Sequence, residues 1–215
     1  KSGPIGGRLP RNRLRASRTL VASSPMDFQT VRFFFALLAL AANAATIAVV
    51  VLGIAGRTGP GGEDLRDRVF AAFRGLELWL AFAVATTATV GSLYLSEIAD
   101  LIPCTFCWYQ RIAMYPLVPI LGIAAWRKDH SVRLYAATLA GIGAVIAAYH
   151  RLIQEFPDLG GTACSVGVPC TAAYFTVFGF VTIPYMALSG FLLILALLWI
   201  DRANSAASRA SLPDA

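Results

Sequence analysis

Residues 33–56 read FFFALLALAANAATIAVVVLGIAG, a stretch of 24 residues without a charged side chain. A helix needs about 20 apolar residues to cross the hydrocarbon core of a bilayer. Lipid offers the backbone no hydrogen-bond partner, so a crossing segment of this kind folds as a helix. The stretch therefore predicts a transmembrane helix in an integral membrane protein.

Four more apolar runs extend the same pattern, at residues 78–96, 112–126, 134–149 and about 181–200. The run at 112–126 lengthens to 108–126 if it includes Arg111. Hydrophobic residues make up 57% of the chain and charged residues 14%, against about 25% charged in soluble domains. We therefore predict an all-α integral membrane protein with five spans, surrounded by membrane lipid.

The net charge of +6 comes from the N-terminal segment rather than from the body of the chain. Residues 1–32 hold seven of the 18 Lys and Arg residues and one acid, Asp27, which leaves eleven basic and eleven acidic residues elsewhere. A basic tail beside apolar spans is typical of membrane topology or a lipid surface, so no nucleic-acid partner is expected. Residues 1–32 are predicted to be a disordered tail, and Met26 is an alternative start of translation.

The loops between the runs differ in their Lys and Arg content, which predicts the orientation of the chain. After the first span these residues concentrate in three segments, at 57–77, 127–133 and 201–215. The positive-inside rule places these segments, and with them the C-terminus, in the cytoplasm. The intervening loops at 97–107 and 151–180 hold both cysteine pairs and are then extracytoplasmic, where disulfides persist.

One conflict follows from this orientation. Five spans with a cytoplasmic C-terminus put the N-terminus outside, although residues 8–18 are rich in arginine. A start at Met26 removes the conflict, and the alternative is that residues 33–56 do not fully cross the membrane.

The cytoplasmic loop at 57–77 contains a second, weaker helical pattern. Leu65, Val69, Phe73 and Leu76 recur at helical spacing, with charged residues between them. Residues 63–77 are therefore predicted to form an amphipathic helix that lies on the membrane surface.

The four cysteines form two close pairs, Cys104 with Cys107 and Cys164 with Cys170. Two such clusters predict either redox-active pairs or a metal site. Structural disulfides are one alternative, and a four-thiolate zinc site is another. The C-x2-C and C-x5-C spacings fit zinc loosely, and an oxidising compartment disfavours it, so no metal is expected.

The surroundings of the C-x2-C motif favour reactive thiols. Pro103 precedes the motif and a helix is predicted to follow, which puts Cys107 near a helix N-terminus, where a thiolate is stabilised. Arg111 lies one helical turn later on the same face. It is a candidate to stabilise that thiolate and to bind a quinone carbonyl, and the alternative is that it reaches lipid headgroups. His150 and Gln154 end the fourth run, where His150 either moves a proton or caps the helix.

Residues 103–112 read PCTFCWYQRI, and this run resembles the signature of the DsbB family of disulfide bond formation proteins. Met114-Tyr115-Pro116, Tyr149-His150 and Thr182-Ile183-Pro184 also fit the family. The resemblance covers about residues 78–200. It implies a four-helix redox bundle there, to which residues 33–56 add an extra N-terminal transmembrane helix.

The resemblance also implies an activity, a cofactor and a partner in the bacterial cytoplasmic membrane. Cys104 and Cys107 would be coupled to a bound quinone, either ubiquinone or menaquinone, with Cys107 nearest the ring and Arg111 and His150 as further binding residues. Cys164 and Cys170 would reoxidise a DsbA-like thioredoxin-fold protein. Cys164 is the expected member of the mixed disulfide with the partner. The C-x5-C spacing is shorter than in the best-known members, which leaves Cys170 as the alternative.

Two rival functions remain at this level. A vitamin K epoxide reductase-like enzyme also couples a helical bundle to a quinone, although its C-x-x-C motif usually lies on the last core helix. A membrane scaffold or binding protein would use both cysteine pairs only as structural disulfides.

Overall fold

The structure, a computed structural model, describes residues 28–159 and 169–210. Within these residues it contains seven α-helices and two short 3₁₀ turns, at His130–Val132 and at residues 157–159. The helices are α1 (Phe28–Ala55), α2 (Pro60–Ala72), α3 (Glu77–Glu97), α4 (Thr105–Met114), α5 (Leu117–Arg127), α6 (Arg133–Glu155) and α7 (Ile183–Ala210). No β-strand occurs in the described residues, where one isolated antiparallel bridge joins Val177 and Val181.

Four of the described helices are long and apolar enough to cross a membrane: α1, α3, α6 with its preceding turn, and α7. The prediction of an all-α integral membrane protein is therefore confirmed. The remaining predicted span, at 108–126, corresponds to the two shorter helices α4 and α5.

Pro116 is the physical reason for the break between α4 and α5. A proline has no N–H to donate to the carbonyl of the preceding turn. The backbone nevertheless stays in the right-handed helical region at Tyr115 and Pro116, and the amide of Ile120 bonds to the Pro116 carbonyl. The helical path thus continues, with an interruption that the apolar pattern alone did not predict.

α7 is the central helix, and it packs against α1, α3 and α6. Its contact with α6 is close because Gly143 faces the fully buried ring of Phe191. A Cβ atom at Gly143 would lie 2.2 Å from that ring. Small residues at helix interfaces allow such close approach in membrane proteins.

α1 runs along the full length of the bundle. At its start the ring of Phe28 packs edge-on against Phe175, with 5.7 Å between the ring centroids. Near its other end Gly53 lies against the Trp199 ring of α7. The length and composition of α1 are sufficient for a membrane span, as the sequence predicted.

The amphipathic helix lies nearer the N-terminus than the sequence pattern predicted. α2 covers Pro60–Ala72 instead of 63–77, and a turn with Gly75 at positive φ separates it from α3. The buried residue of α2 is Phe70, which was not among the predicted apolar positions and packs against Trp199 with 6.1 Å between ring centroids. Leu65 and Leu76 are exposed.

Buried polar groups tie the helices together at the end of the bundle away from the cysteines. Asp201 on α7 is almost fully buried and pairs with His130 Nδ1 at 2.6 Å and Arg133 Nε at 3.0 Å. The amide of Asn204 donates to a carboxylate oxygen of Glu77 at 2.5 Å. Buried charges are tolerated when they are paired in this way.

Candidate functional site

The C-x2-C motif lies at the start of α4. Cys104 is the N-cap residue, and its Sγ accepts a hydrogen bond from the Cys107 amide at 3.4 Å. Cys107 lies in the first turn, where the helix dipole favours a thiolate. Both cysteines are free thiols, with 3.0 Å between the two Sγ atoms.

The two thiols of this motif differ in their surroundings. Cys104 is buried and donates a hydrogen bond to the Cys107 sulfur, whereas Cys107 is half-buried. The hydrogen bond to Cys107 and burial raise the pKa of Cys104 to about 12, against a weaker opposing effect of His150. Cys104 therefore keeps its proton, and negative charge in the pair is placed on Cys107.

His150 lies inside the bundle between the two cysteine-bearing segments. Its ring is 2% exposed, and Nε2 is 3.7 Å from the Cys104 Sγ and 3.1 Å from the Cys170 carbonyl oxygen. Its Nδ1 is 3.0 Å from the Gln110 amide nitrogen. Since α6 continues to Glu155, the alternative that His150 caps the helix is wrong.

Cys170 is the described member of the second pair. It is 1% exposed and forms a small buried cluster with Cys104 and Ile153. Cys164 lies at a position outside the described residues, as does most of the loop between the two cysteines. The structure thus brings Cys170, His150 and the C-x2-C motif together at one end of the bundle.

Arg111 is held by α3 through two hydrogen bonds to Ser92. Its Nε donates to the Ser92 hydroxyl and its Nη2 to the Ser92 carbonyl, both at 3.0 Å. The guanidinium carbon also lies 5.2 Å from the centre of the Trp108 ring. Tyr115 donates to the same Ser92 hydroxyl at 3.2 Å, so Ser92 fixes two side chains beside the cysteines.

A cavity of about 460 Å³ lies between α1, α3, α4 and α7. Most of its wall is apolar, and its polar side chains concentrate near the cysteines. These are Ser92, Cys107, Gln110, Arg111, Tyr115 and Tyr174, while Thr87 is a further polar residue of the wall. Neither Cys104 nor His150 belongs to this wall; both line a smaller space with Cys107, Gln154 and Tyr174.

Cys107 therefore belongs to both spaces, and the other groups form a compact cluster beside it. The Cys104 Sγ is 3.0 Å from the Cys107 Sγ, and the ligand atoms of Cys104, Cys107 and His150 all lie within 4.8 Å of one another. Such an arrangement can pass thiol–disulfide exchange from one cysteine to the next and deliver electrons at the cavity wall.

Several residues of the site carry no sequence signal of their own. Ser92 sits on an apolar helix and Tyr174 in a loop, where its hydroxyl donates to the Ile102 carbonyl at 2.5 Å. Gln110 lies within the quoted motif, yet nothing in the sequence indicates that it contacts His150, 40 positions away. Contacts between distant segments of this kind come only from the tertiary structure.

The comparisons with known proteins agree with this geometry. The family model "Disulfide bond formation protein DsbB" matches residues 75–200. Disulfide bond formation protein C of Bacillus subtilis (strain 168) is 50% identical over 119 residues, which are 55% of this chain and 86% of the relative. Probable disulfide formation protein C 2 of Bacillus anthracis is 50% identical over 123 residues, 57% of this chain and 88% of the relative. No solved structure matches.

The fold and the site define a multi-pass, all-α membrane protein with a cluster of thiols at one end of its bundle. The relatives and the family model indicate that it acts in disulfide bond formation, as a disulfide-forming oxidoreductase. The chain belongs to the DsbB family of disulfide bond formation proteins. This membership replaces the vitamin K epoxide reductase-like alternative.

Proposed function

We propose that this protein reoxidises a DsbA-like thioredoxin-fold protein and passes the electrons through its two cysteine pairs to a membrane quinone. The observation that carries the proposal is the position of Cys107. It lies on the wall of the large cavity, and its Sγ is 3.0 Å from the Cys104 Sγ, which is itself 3.7 Å from His150 Nε2 beside the Cys170 carbonyl.

The first exchange uses the outer pair. A thiolate of the reduced partner attacks the Cys164–Cys170 disulfide, and Cys164 forms the mixed disulfide while Cys170 leaves as a thiol. The second thiol of the partner then attacks the partner's own sulfur in that bond, which closes the partner's disulfide and releases Cys164 as a thiol. Partner oxidation thus converts Cys164 and Cys170 to a dithiol, with two electrons gained.

The second exchange joins the two pairs. The Cys170 thiolate attacks Cys104 of the oxidised C-x2-C pair, forms a Cys104–Cys170 disulfide and releases Cys107 as a thiolate. Cys164 then attacks Cys170 and restores the outer disulfide, and Cys104 leaves as a thiol. The two electrons now belong to Cys104 and Cys107, next to the large cavity.

His150 moves the proton in this exchange. Its Nε2 faces both the Cys104 sulfur and the Cys170 segment, so it can protonate the Cys104 sulfur as it leaves. The contact with Gln110 at Nδ1 fixes the ring orientation. Because His150 does not line the large cavity, its role lies at the sulfurs and not at the quinone.

The large cavity fits the quinone that the resemblance implies. Its volume of about 460 Å³ falls in the usual range of small-molecule sites. Its polar end offers the N–H donors of Arg111 that do not bond to Ser92, which suit a quinone oxygen, and its apolar remainder suits an isoprenoid tail. A bound quinone, either ubiquinone or menaquinone, would supply a two-electron acceptor there.

Arg111 prepares the polar end of the cavity for negative charge. It lies one turn after Cys107 on α4, and Ser92 holds its guanidinium in a fixed orientation. A fixed cation stabilises charge as it develops, because no reorganisation is needed at the moment of reaction. Arg111 would act both on the Cys107 thiolate and on an acceptor oxygen.

The orientation in the membrane is part of the proposal. The cysteine end of the bundle would face the extracytoplasmic side and the C-terminus the cytoplasm, as the distribution of Lys and Arg indicates. A membrane-impermeant thiol reagent tests this placement. It should label Cys107 in intact cells after reduction, and labelling that requires cell lysis would place the site inside.

A zinc site is the second candidate, because the ligand atoms of Cys104, Cys107 and His150 all lie within 4.8 Å of one another. A bound cation would hold both thiolates and prevent their oxidation, so the two functions exclude each other. Metal analysis of the anaerobically purified protein separates them. Stoichiometric zinc would favour the second candidate.

The deciding experiment follows quinone reduction by the purified protein, supplied with a reduced thioredoxin-fold oxidase. Wild type should turn over and Cys107→Ser should not, while Ser208→Ala, changed far from the cysteines, should match wild type. If neither wild type nor control reduces a quinone while both are folded with oxidised cysteines, the pairs are structural and the scaffold alternative stands.

A further inference from the structure

α1 lies outside the part of the chain that matches the family, yet it supplies one wall of the large cavity. The family match begins at residue 75, whereas α1 ends at Ala55. The wall residues on α1 fall on one face, and most of them are alanines. They are Phe35, Leu38, Ala39, Ala41 and Ala42.

The cavity is a groove between α1 and α3 with α7 as its floor. Both helices pack against α7. Leu38 on α1 and Leu80 on α3 line the groove and are also exposed, at 38% and 36%. The groove therefore opens sideways between α1 and α3, which in a membrane is toward the lipid.

Phe35 closes the same groove near the cysteine end. Its ring lies against Gly91 on α3, where a Cβ atom would come within 2.6 Å of it. The next residue, Ser92, is the anchor of Arg111. Phe35 thus separates the polar end of the cavity from lipid.

A polar contact fixes α1 in this position. The Asn43 amide donates to the Tyr185 hydroxyl at 2.8 Å and to the Ser189 hydroxyl at 3.0 Å, both on α7. Hydrogen bonds between helices hold their relative position in lipid, where the alternative is an unsatisfied polar group. Ala42, the neighbour of Asn43, is therefore held at the wall.

We infer that α1 and α3 together form the channel for the isoprenoid tail of the quinone, so that α1 sets which tails the site accepts. The inference rests on the proposed function. The occupant follows from the chemistry of the wall, which is polar beside Cys107 and Arg111 and apolar along Leu38, Ala42 and Leu80. Alanines on α1 leave the space that a chain of methyl-branched units fills.

The test fills the channel from the α1 side. Ala42→Trp places a large ring at the wall. Ala41→Trp also places a ring there, at a more exposed position where a large side chain is less able to disturb folding. Ala44→Trp is the matched control, since Ala44 is exposed on the same helix and does not belong to the wall. Each variant is assayed with a tailed quinone that wild type reduces and with the tail-less ring of the same series.

Both wall variants should raise the KM for the tailed quinone about tenfold or more, because a few methylene groups lose their apolar contacts. The KM for the tail-less ring and all values for Ala44→Trp should stay at wild-type levels. A quinone with a photoreactive group at the end of its tail should label α1 peptides in wild type and lose that label in Ala42→Trp.

The outcomes separate this inference from the proposed function. If wild type reduces quinone but the tail label falls only on other helices, and the wall variants match the control, α1 is not part of the channel. If wild type neither reduces nor binds any quinone, the proposed function fails first and the channel with it.

Discussion

The Nε2 atom of His150 lies 3.7 Å from the Sγ atom of Cys104, although 46 residues separate them in the chain. The contact joins the last turns of α6 to the N-cap of α4. It places the one buried ionisable ring of the described site beside the thiol whose proton must move. The geometry thus connects the fold, which brings two helix ends together, with the chemistry of exchange.

His150→Gln should slow turnover with the thioredoxin-fold partner about 100-fold, the usual contribution of a positioned acid or base. Glutamine keeps a hydrogen-bonding amide for Gln110 and the Cys170 carbonyl but cannot carry a proton at neutral pH. His130→Gln is the matched control, since the chain has two histidines and His130 lies at the opposite end. Equal turnover of the two variants per folded molecule would show that His150 has only a structural role.

The raised pKa of Cys104 predicts unequal reactivity in the reduced protein. The Cys104 pKa of about 12 exceeds the ordinary thiol value of 9.0, so this thiol stays protonated at pH 8. Brief treatment with iodoacetamide at pH 8 should modify Cys107 well before Cys104, as measured by peptide mass spectrometry. Both should react alike once the protein is denatured, and preferential modification of Cys104 in the folded state would contradict the assignment.

The same pKa predicts a loss of stability of the reduced form in alkali. A group whose folded pKa is raised contributes stability that is complete below the unfolded pKa and lost as pH rises through the folded value. For Cys104 the window runs from pH 9.0 to about 12. The thermal midpoint of reduced wild type should fall across this window more steeply than that of Cys104→Ser, and parallel curves would remove Cys104 as the cause.

Arg111→Ala should lower kcat/KM for the quinone about 100- to 1000-fold, the usual effect of removing a donor aimed at developing charge. Both disulfides should still form. Arg111→Lys should recover part of the loss, because it keeps the charge but not the fork that bonds Ser92. Arg151→Ala is the control, as Arg151 pairs with Glu155 and lies outside the cavity wall; a similar fall there would make the Arg111 effect a nonspecific one.

The sequence predicted the parts of the fold that depend on local pattern. Apolar runs gave the helices, and Pro103 before the C-x2-C motif indicated the start of α4, which begins at Thr105. The break at Pro116 was missed because hydropathy does not register a lost N–H. Ser92 anchors Arg111, and Gln110 anchors His150. Both contacts depend on which faces of two helices meet, and the apolar pattern of a single helix carries no information about that.

The packing of α6 on α7 leads to a prediction that links stability to the site. Gly143→Ala adds a Cβ atom that would lie 2.2 Å from the buried Phe191 ring, and such overpacking costs about 1–3 kcal/mol. Gly141→Ala, two residues earlier on the same helix, meets nothing within 4 Å and should be neutral or slightly stabilising. Thermal unfolding in detergent measures both.

The same substitution should also lower the rate of turnover, because Gly143 and His150 lie on the same helix about two turns apart. A shift of α6 away from α7 changes the contact between His150 and Cys104. Gly143→Ala should therefore lower turnover as well as stability, and Phe191→Leu, which makes room for the added methyl group, should restore part of both in the double variant. If Gly143→Ala unfolds at the wild-type temperature with full turnover, the close contact of α6 with α7 does not position His150.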